Sequence, residues 1–293
     1  MNKFSISIIA APESASKVRK VLSIFVHHSE VLEGQLDSHL TELLPNETYL
    51  NETRVVGYCE CIAKVKSWLK TESAIGSRLE SATEDFQKNA KSIYFDEVSG
   101  GFVSIKLNGD ADPNAILTIE NEKRTRLADM FSKSGAFMSS NSGFHYVKPS
   151  GKHVSGFLRT SNVLEAGENV SSIAFWLLPY LWKKQIRHII VDTSGITSIA
   201  YVLAYEALKR GGLEALPTIS SHKSYGGLDS LIVVDPEHTL FLISASTSGG
   251  LVEKLIAKGA KLDNIVTLFY LGESLSNSGH ILCNLTWHET ENP

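Results

Sequence analysis

The sequence predicts an α/β protein in two parts: a smaller α/β or α+β module over residues 1–122, then, over 123–293, a parallel, Rossmann-like sheet under a small basic hairpin. Two stretches carry the second half of that expectation. Residues 240–259, LFLISASTSGGLVEKLIAKG, pass from an apolar strand through small hydroxyl residues and glycines into a helix with Leu251, Val252, Leu255 and Ile256 as its apolar positions. Residues 188–210 repeat the pattern, with a buried strand, the loop TSGITS and a helix closed by Gly211 and Gly212.

A small loop between strand and helix suits an anion. The first helical amides have no intrahelical acceptor, the helix dipole favours negative charge at that end, and glycine lets backbone approach closely. Ser246, Thr247, Ser248, Gly249 and Gly250 form one such loop, and Thr193, Ser194, Gly195 and Thr197 lie in the other. In many parallel sheets a Gly/Ser turn is only a short connection. Two of them at the carboxyl ends of neighbouring strands would frame one crevice, the usual ligand position in an open α/β sheet.

Within the first part, residues 3–10 alternate as a strand, and Ser14 or Ser16 is placed to cap a helix carrying Val18, Val21, Leu22, Ile24, Phe25 and Val26, with His27 and His28 at its end. Residues 36–44 and 65–69 have helical spacing around the polar stretch 45–52, and 74–90 read as a charged, solvent-facing helix. Residues 92–97 and 102–107 flank Ser99, Gly100 and Gly101 as a hairpin, and 115–120 give a third strand. This module shows no catalytic constellation, which leaves protein-partner binding as its expected role. The charged run at 122–125 marks the boundary, before an apolar helix at 127–131.

The second part opens with a strand containing Phe144 and Tyr146, a Pro-Ser-Gly turn and an extended run at 154–159; Lys148, Lys152, His153 and Arg159 concentrate positive charge there. A helix at 170–182 is interrupted near Pro179, with Trp176 and Trp182 read as packing residues. Residues 216–229 read as a mobile, charged loop with His222, Lys223, Gly226 and Gly227, followed by strands at 231–235, 240–244 and 265–270. Cys283 is expected to be a small buried hydrophobe.

The chain has 293 residues and a formal net charge of -4, which argues against an extended nucleic-acid surface. Its 3 cysteines lack the spacing of a metal knuckle and point to a reduced, cytoplasmic chain, and its N-terminal apolar run is too short to span a membrane.

In this order, the SGKH hairpin, the Ser/Thr/Gly loop, the Lys-bearing loop and TSGG resemble the phosphoribosyltransferases, most closely the orotate type, over residues 127–271. The resemblance implies a sheet that binds phosphoribosyl pyrophosphate and a glycosyltransferase reaction at the anomeric carbon. It assigns Ser246, Thr247, Ser248, Gly249 and Gly250 to the 5-phosphate and Thr193, Ser194, Gly195 and Thr197 to the pyrophosphate. Lys148, Lys152 and His153 fall at the hairpin covering the site, and His222 and Lys223, as the catalytic pair, at the loop that closes over the leaving group.

The family also has two adjacent acidic residues before the small loop, which hold the ribose hydroxyls and help place Mg²⁺. Here Ile243 and Ser244 stand in those places, which counts against Mg²⁺ and against efficient transfer. Asp192 is the acid nearest to substituting in part. The expected ligand is a phosphorylated ribose or nucleotide, in a divergent transferase or nucleotide-processing enzyme. A second expectation is a catalytically inactive nucleotide sensor or partner subunit; members lacking the acids are, by resemblance, expected in regulators and bacterial antiviral defence systems. A third is the sugar-phosphate domain of the sugar isomerases, whose Ser-rich loop SASTSGG also fits. A homo-oligomer or complex subunit is expected.

Overall fold

Five runs of β-branched and aromatic residues build the sheet of the first unit: β1 (Phe4–Ser14), β2 (Lys17–Val26), β3 (Glu52–Tyr58), β4 (Ala90–Asp96) and β5 (Gly101–Lys106). The computed structural model describes residues 3–14, 17–44, 49–70, 72–139, 146–147, 153–154, 156–272 and 279–285, and the chain divides into two compact units, Met1–Arg126 and Leu127–Pro293. The strands follow one another in order across the sheet, with antiparallel pairs at both edges and β2, β3 and β4 parallel.

The expected hairpin at 92–107 is present as β4 and β5. The expected helix over 18–26 is instead β2, because Val21, Leu22, Ser23, Ile24, Phe25 and Val26 are all buried in mid-sheet. A strand covered on both faces shows no alternation and cannot be told from a buried helix by periodicity. The polar stretch before residue 52 runs directly into β3, which is buried throughout.

α1 (Glu33–Leu43), α2 (Cys59–Lys66), α3 (Ala74–Ala82) and α4 (Phe86–Asn89) connect β2 to β3 and β3 to β4. Both crossovers step in the same direction, so right-handed connection puts these helices on one face. Ser73 caps α3, its Oγ accepting from the Gly76 amide at 2.8 Å. The single helix expected over 74–90 is broken at Asp85, whose φ of 42° is left-handed, and its last residue already belongs to β4.

α5 (Ala115–Lys133) covers the other face of this sheet with its first part. The strand expected at 115–120 is its opening turns, with Ile116 and Leu117 exposed at the surface. The charged run at 122–125 lies inside the helix, where Glu122 is fully buried: its carboxylate pairs with Arg54 at 3.3 Å and Arg126 at 3.1 Å and accepts from the Ser23 hydroxyl. Arg54 also pairs with Glu52 at 2.7 Å, and Lys91 reaches Glu52 at 3.4 Å and Asp112 at 3.5 Å. Burial pushes the Glu52 carboxyl up, but the neighbouring Arg54 charge and hydrogen bond outweigh it and hold the group below its usual range.

In the second unit β6 (Phe137–Ser139) pairs antiparallel with β9 (Gly156–Leu158), and β7 (Tyr146–Val147) with β8 (His153–Val154). Phe144, Lys148 and Lys152 lie outside the described residues. α6 (Thr160–Val163) and α7 (Gly167–Leu181) follow, the latter running through Pro179 and buried continuously from Ser172 to Leu178, Trp176 included.

The main sheet is β10 (His188–Val191), β11 (Thr218–Ser221), β12 (Thr239–Ser246), β13 (Ile265–Tyr270) and β14 (His280–Asn284). α8 (Thr197–Lys209) follows β10, and α9 (Gly250–Ala257) follows β12. The strand expected at 231–235 is absent: Leu231 and Val233 pack on the core while Ile232 and Val234 face out, but β12 already has strands on both sides. Conversely, β11 was hidden in the stretch expected to be a loop, because a four-residue polar edge strand has no hydrophobic signature. Cys283 is buried, as expected, and Trp182 packs where a Cβ on Gly212 would collide with its ring. Trp287 and His288 lie outside the described residues. Among the described residues no helix is long and apolar enough to cross a membrane.

Glu122→Ala leaves Arg126 buried without its carboxylate and Arg54 with Glu52 alone, and should cost the first unit about 3–5 kcal/mol in urea unfolding. A loss below about 1 kcal/mol, the size typical of surface pairs, would show that the network contributes little.

Candidate phosphate-binding site

Every strand pair of the main sheet is parallel, in the order β11-β10-β12-β13-β14. From β10 the chain goes first to one side, to β11, and then to the other, to β12. The loops leaving β10 and β12 therefore diverge at a topological switch point, where open parallel sheets hold ligands. Because β10 and β12 are paired directly, from His188 beside Thr239 to Val191 beside Leu242, both small loops leave the same edge as neighbours.

A buried carboxylate ties the two strand ends. The Ser244 amide donates to Asp192 Oδ1 at 3.0 Å and its hydroxyl to Oδ2 at 2.8 Å. Burial raises the Asp192 carboxyl above its usual range; the Ser244 hydrogen bonds and the nearby His222 oppose the shift without cancelling it. His222 follows β11, its amide bonded to the Val191 carbonyl at 3.1 Å and its side chain buried, so three strand ends meet here.

Each loop is shaped by a hydroxyl at its start. Thr193 Oγ1 accepts from the Gly195 amide at 3.4 Å, opening a short 3-10 turn, Ser194–Ile196, that leads into α8. Ser246 Oγ accepts from the Gly249 amide at 3.0 Å, and Gly249 takes a φ of 70° before α9. That left-handed conformation is cheap only for glycine. The backbone after β13 supports this loop: a Cβ on Gly272 would stand 2.6 Å from the Thr247 carbonyl.

Of the residues expected at the site, Thr193, Ser194, Gly195, Thr197, Ser246, Thr247, Ser248, Gly249 and Gly250 fall on these two loops or the first helical residues behind them. His222 and Lys223 stand at the end of β11 on the flank of β10, with Lys223 exposed and left-handed at φ 59°. Their segment closes tightly, since a Cβ on Gly227 would meet the His222 carbonyl at 1.5 Å. His153 lies in β8 opposite Val147. Sequence reasoning missed α6. Thr160 Oγ1 donates to the Ser244 carbonyl at 3.1 Å, and a Cβ on Gly195 would stand 4.0 Å from that of Ser161, so this turn reaches the end of β12 and the loop after β10. The only signal was the basic residue before it, Arg159.

The residues do not fit a divalent cation held in the manner of the resembled family. Ile243 is buried and apolar, the Ser244 hydroxyl is given to Asp192, and Asp192 is itself buried and accepts from Ser244 through each oxygen. Hard cations need free carboxylate or carbonyl oxygens. Among the described residues no group of three or more His, Cys, Asp or Glu could hold a metal. Asp192 stands as a single buried carboxylate that ties the ends of β10 and β12.

No protein-family model matches the chain, and no curated protein matches it. Solved structures similar to it include orotate phosphoribosyltransferase from Aeropyrum pernix, 15% identical over 56% of this chain and 98% of that one, with a TM-score of 0.35. Another is the UMP synthase of Leishmania donovani, 11% identical over 91% of this chain, which spans 57% of that protein, with a TM-score of 0.37.

The folded chain holds the Asp192 proton more tightly than the unfolded chain, so this group's contribution to stability falls as pH rises from the ordinary value of 3.8 through the raised one. Asp192→Asn removes that fall. Urea unfolding from about pH 4 to neutrality should show the variant gaining on the wild type as pH rises; a flat or falling difference would show that the carboxyl is not raised.

Proposed function

We propose that the second unit is a phosphoribosyltransferase-like domain that binds a phosphorylated ribose or nucleotide, with the 5-phosphate on the loop of Ser246, Thr247, Ser248, Gly249 and Gly250. The reading rests on one observation: two hydroxyl- and glycine-containing loops, each leading into a helix, leave adjacent parallel strands on the same edge. Their leading amides lack intrahelical acceptors and sit at the positive ends of helix dipoles, which suits a phosphate. Lys223, exposed after β11, would add charge beside the more distal groups of the ligand, and the resemblance gives Lys148, Lys152 and His153 the same role.

Ligand binding without efficient transfer is the form of this function that the residues favour. The ribose hydroxyls find no carboxylate pair, and charge-assisted bonds of that kind are worth about 1.5–3 kcal/mol each. Such a domain serves as a nucleotide sensor or as a subunit of a larger assembly, with the first unit as the surface that meets a protein partner.

Calorimetry of the full chain with ribose 5-phosphate, phosphoribosyl pyrophosphate, nucleoside monophosphates and hexose phosphates tests the proposal. Binding of the ribose phosphates is expected. Gly249→Val forces a β-branched residue into the left-handed region and should weaken that binding by about tenfold or more while leaving the first unit folded. Unchanged affinity in this variant, or binding of hexose phosphates alone, would overturn the assignment.

A further inference from the structure

Neutral residues stand where the resembled family has its paired acids, and a cation, Arg159, precedes α6. At the end of β12, where the resembled family carries two carboxylates and a divalent cation, this chain has the buried, apolar Ile243 and a Ser244 whose hydroxyl is committed to Asp192. A phosphorylated ligand in that position would meet no metal ligand. It would still carry several negative charges, which need a cation close by in a crevice of reduced dielectric.

Arg159 is the residue before α6. Its backbone amide is fixed to the Ala136 carbonyl at 2.7 Å, and the next two residues reach the site's frame: Thr160 bonds the Ser244 carbonyl near the end of β12, and Ser161 lies beside Gly195. The side chain is exposed, and among the described residues no carboxylate pairs with it. In contrast, Arg210 is paired with Glu206 at 3.2 Å and Arg187 lies 3.9 Å from Asp235. Lys223, also exposed, follows β11, the strand beside β10.

On the reading proposed above, we infer that Arg159 supplies the positive charge that a divalent cation supplies in the resembled family, and that this site therefore takes its ligand without metal. The ligand class follows: a phosphorylated ribose with a second anionic group beyond the 5-phosphate, which a planar guanidinium can engage through two parallel hydrogen bonds. Arg159 is a binding residue here; no bond-making step is assigned to it.

The test is calorimetry of the full chain with phosphoribosyl pyrophosphate and with ribose 5-phosphate, each in excess chelator and in excess Mg²⁺. The wild type should bind phosphoribosyl pyrophosphate in chelator, with an affinity within about threefold of that in Mg²⁺. Arg159→Gln should weaken this binding by about tenfold or more, Arg159→Lys by less, and ribose 5-phosphate binding should change little in either. The side chain is exposed, so circular dichroism and the thermal midpoint should match the wild type. If the wild type binds only with Mg²⁺, or Arg159→Gln binds as tightly as the wild type, the inference is overturned while the phosphate site stands. If the wild type binds neither compound under either condition, the site itself is overturned and the inference with it.

Discussion

The candidate site depends on the two hydrogen bonds from Ser244 to the Asp192 carboxylate. Parallel strands that feed helices on different sides of a sheet diverge where they leave it, and the loops beyond have few backbone bonds of their own. A buried carboxylate that accepts from an amide and a hydroxyl of the next strand holds the two ends at a fixed spacing. Thr160 adds a third point of attachment from α6. On this frame Thr193 accepts from the Gly195 and Ile196 amides to shape the first loop, and Ser246 accepts from the Gly249 amide to shape the second.

The cost of that frame is visible in the direction of the Asp192 shift. An ionised group taken out of water is disfavoured unless its partners replace hydration. Ser244 and His222 replace part of it. The first unit solves a larger version of the same problem: Glu52, Arg54, Lys91, Asp112, Glu122 and Arg126 sit between the sheet and α5 with each cation beside a carboxylate. Charges there are consumed within the fold. At the rim of the second unit's sheet, Arg159 and Lys223 are exposed, and their charge is available to something outside it.

Legibility followed the physics of exposure. The strands β10, β12 and β13 and the loops behind the first two were readable, because a short apolar run ending in Ser, Thr and Gly has few other solutions. The hairpin of β4 and β5 was readable from its glycines. β2 was read as a helix because both of its faces are covered, and the opening of α5 as a strand because its β-branched residues outweighed a helical pattern built on buried charges. Glu122 and Arg126 look in sequence like a solvated linker, and only three-dimensional pairing makes them core. β11 has no apolar signature at all, and the role of Thr160 depends on a bond to a residue 84 positions away. The strand-loop-helix pattern of both loops could thus be recognised, while the carboxylate that ties their strands and the turn packed beside them could not.

The most direct measurement is the amide spectrum of the isotope-labelled chain during titration with ribose 5-phosphate. Phosphate held between the two loops should shift the amides of residues 246–251 most strongly and those of 193–198 next, with β1 to β5 undisturbed. Shifts that avoid residues 246–251, or that spread evenly over surface lysines, would contradict the account.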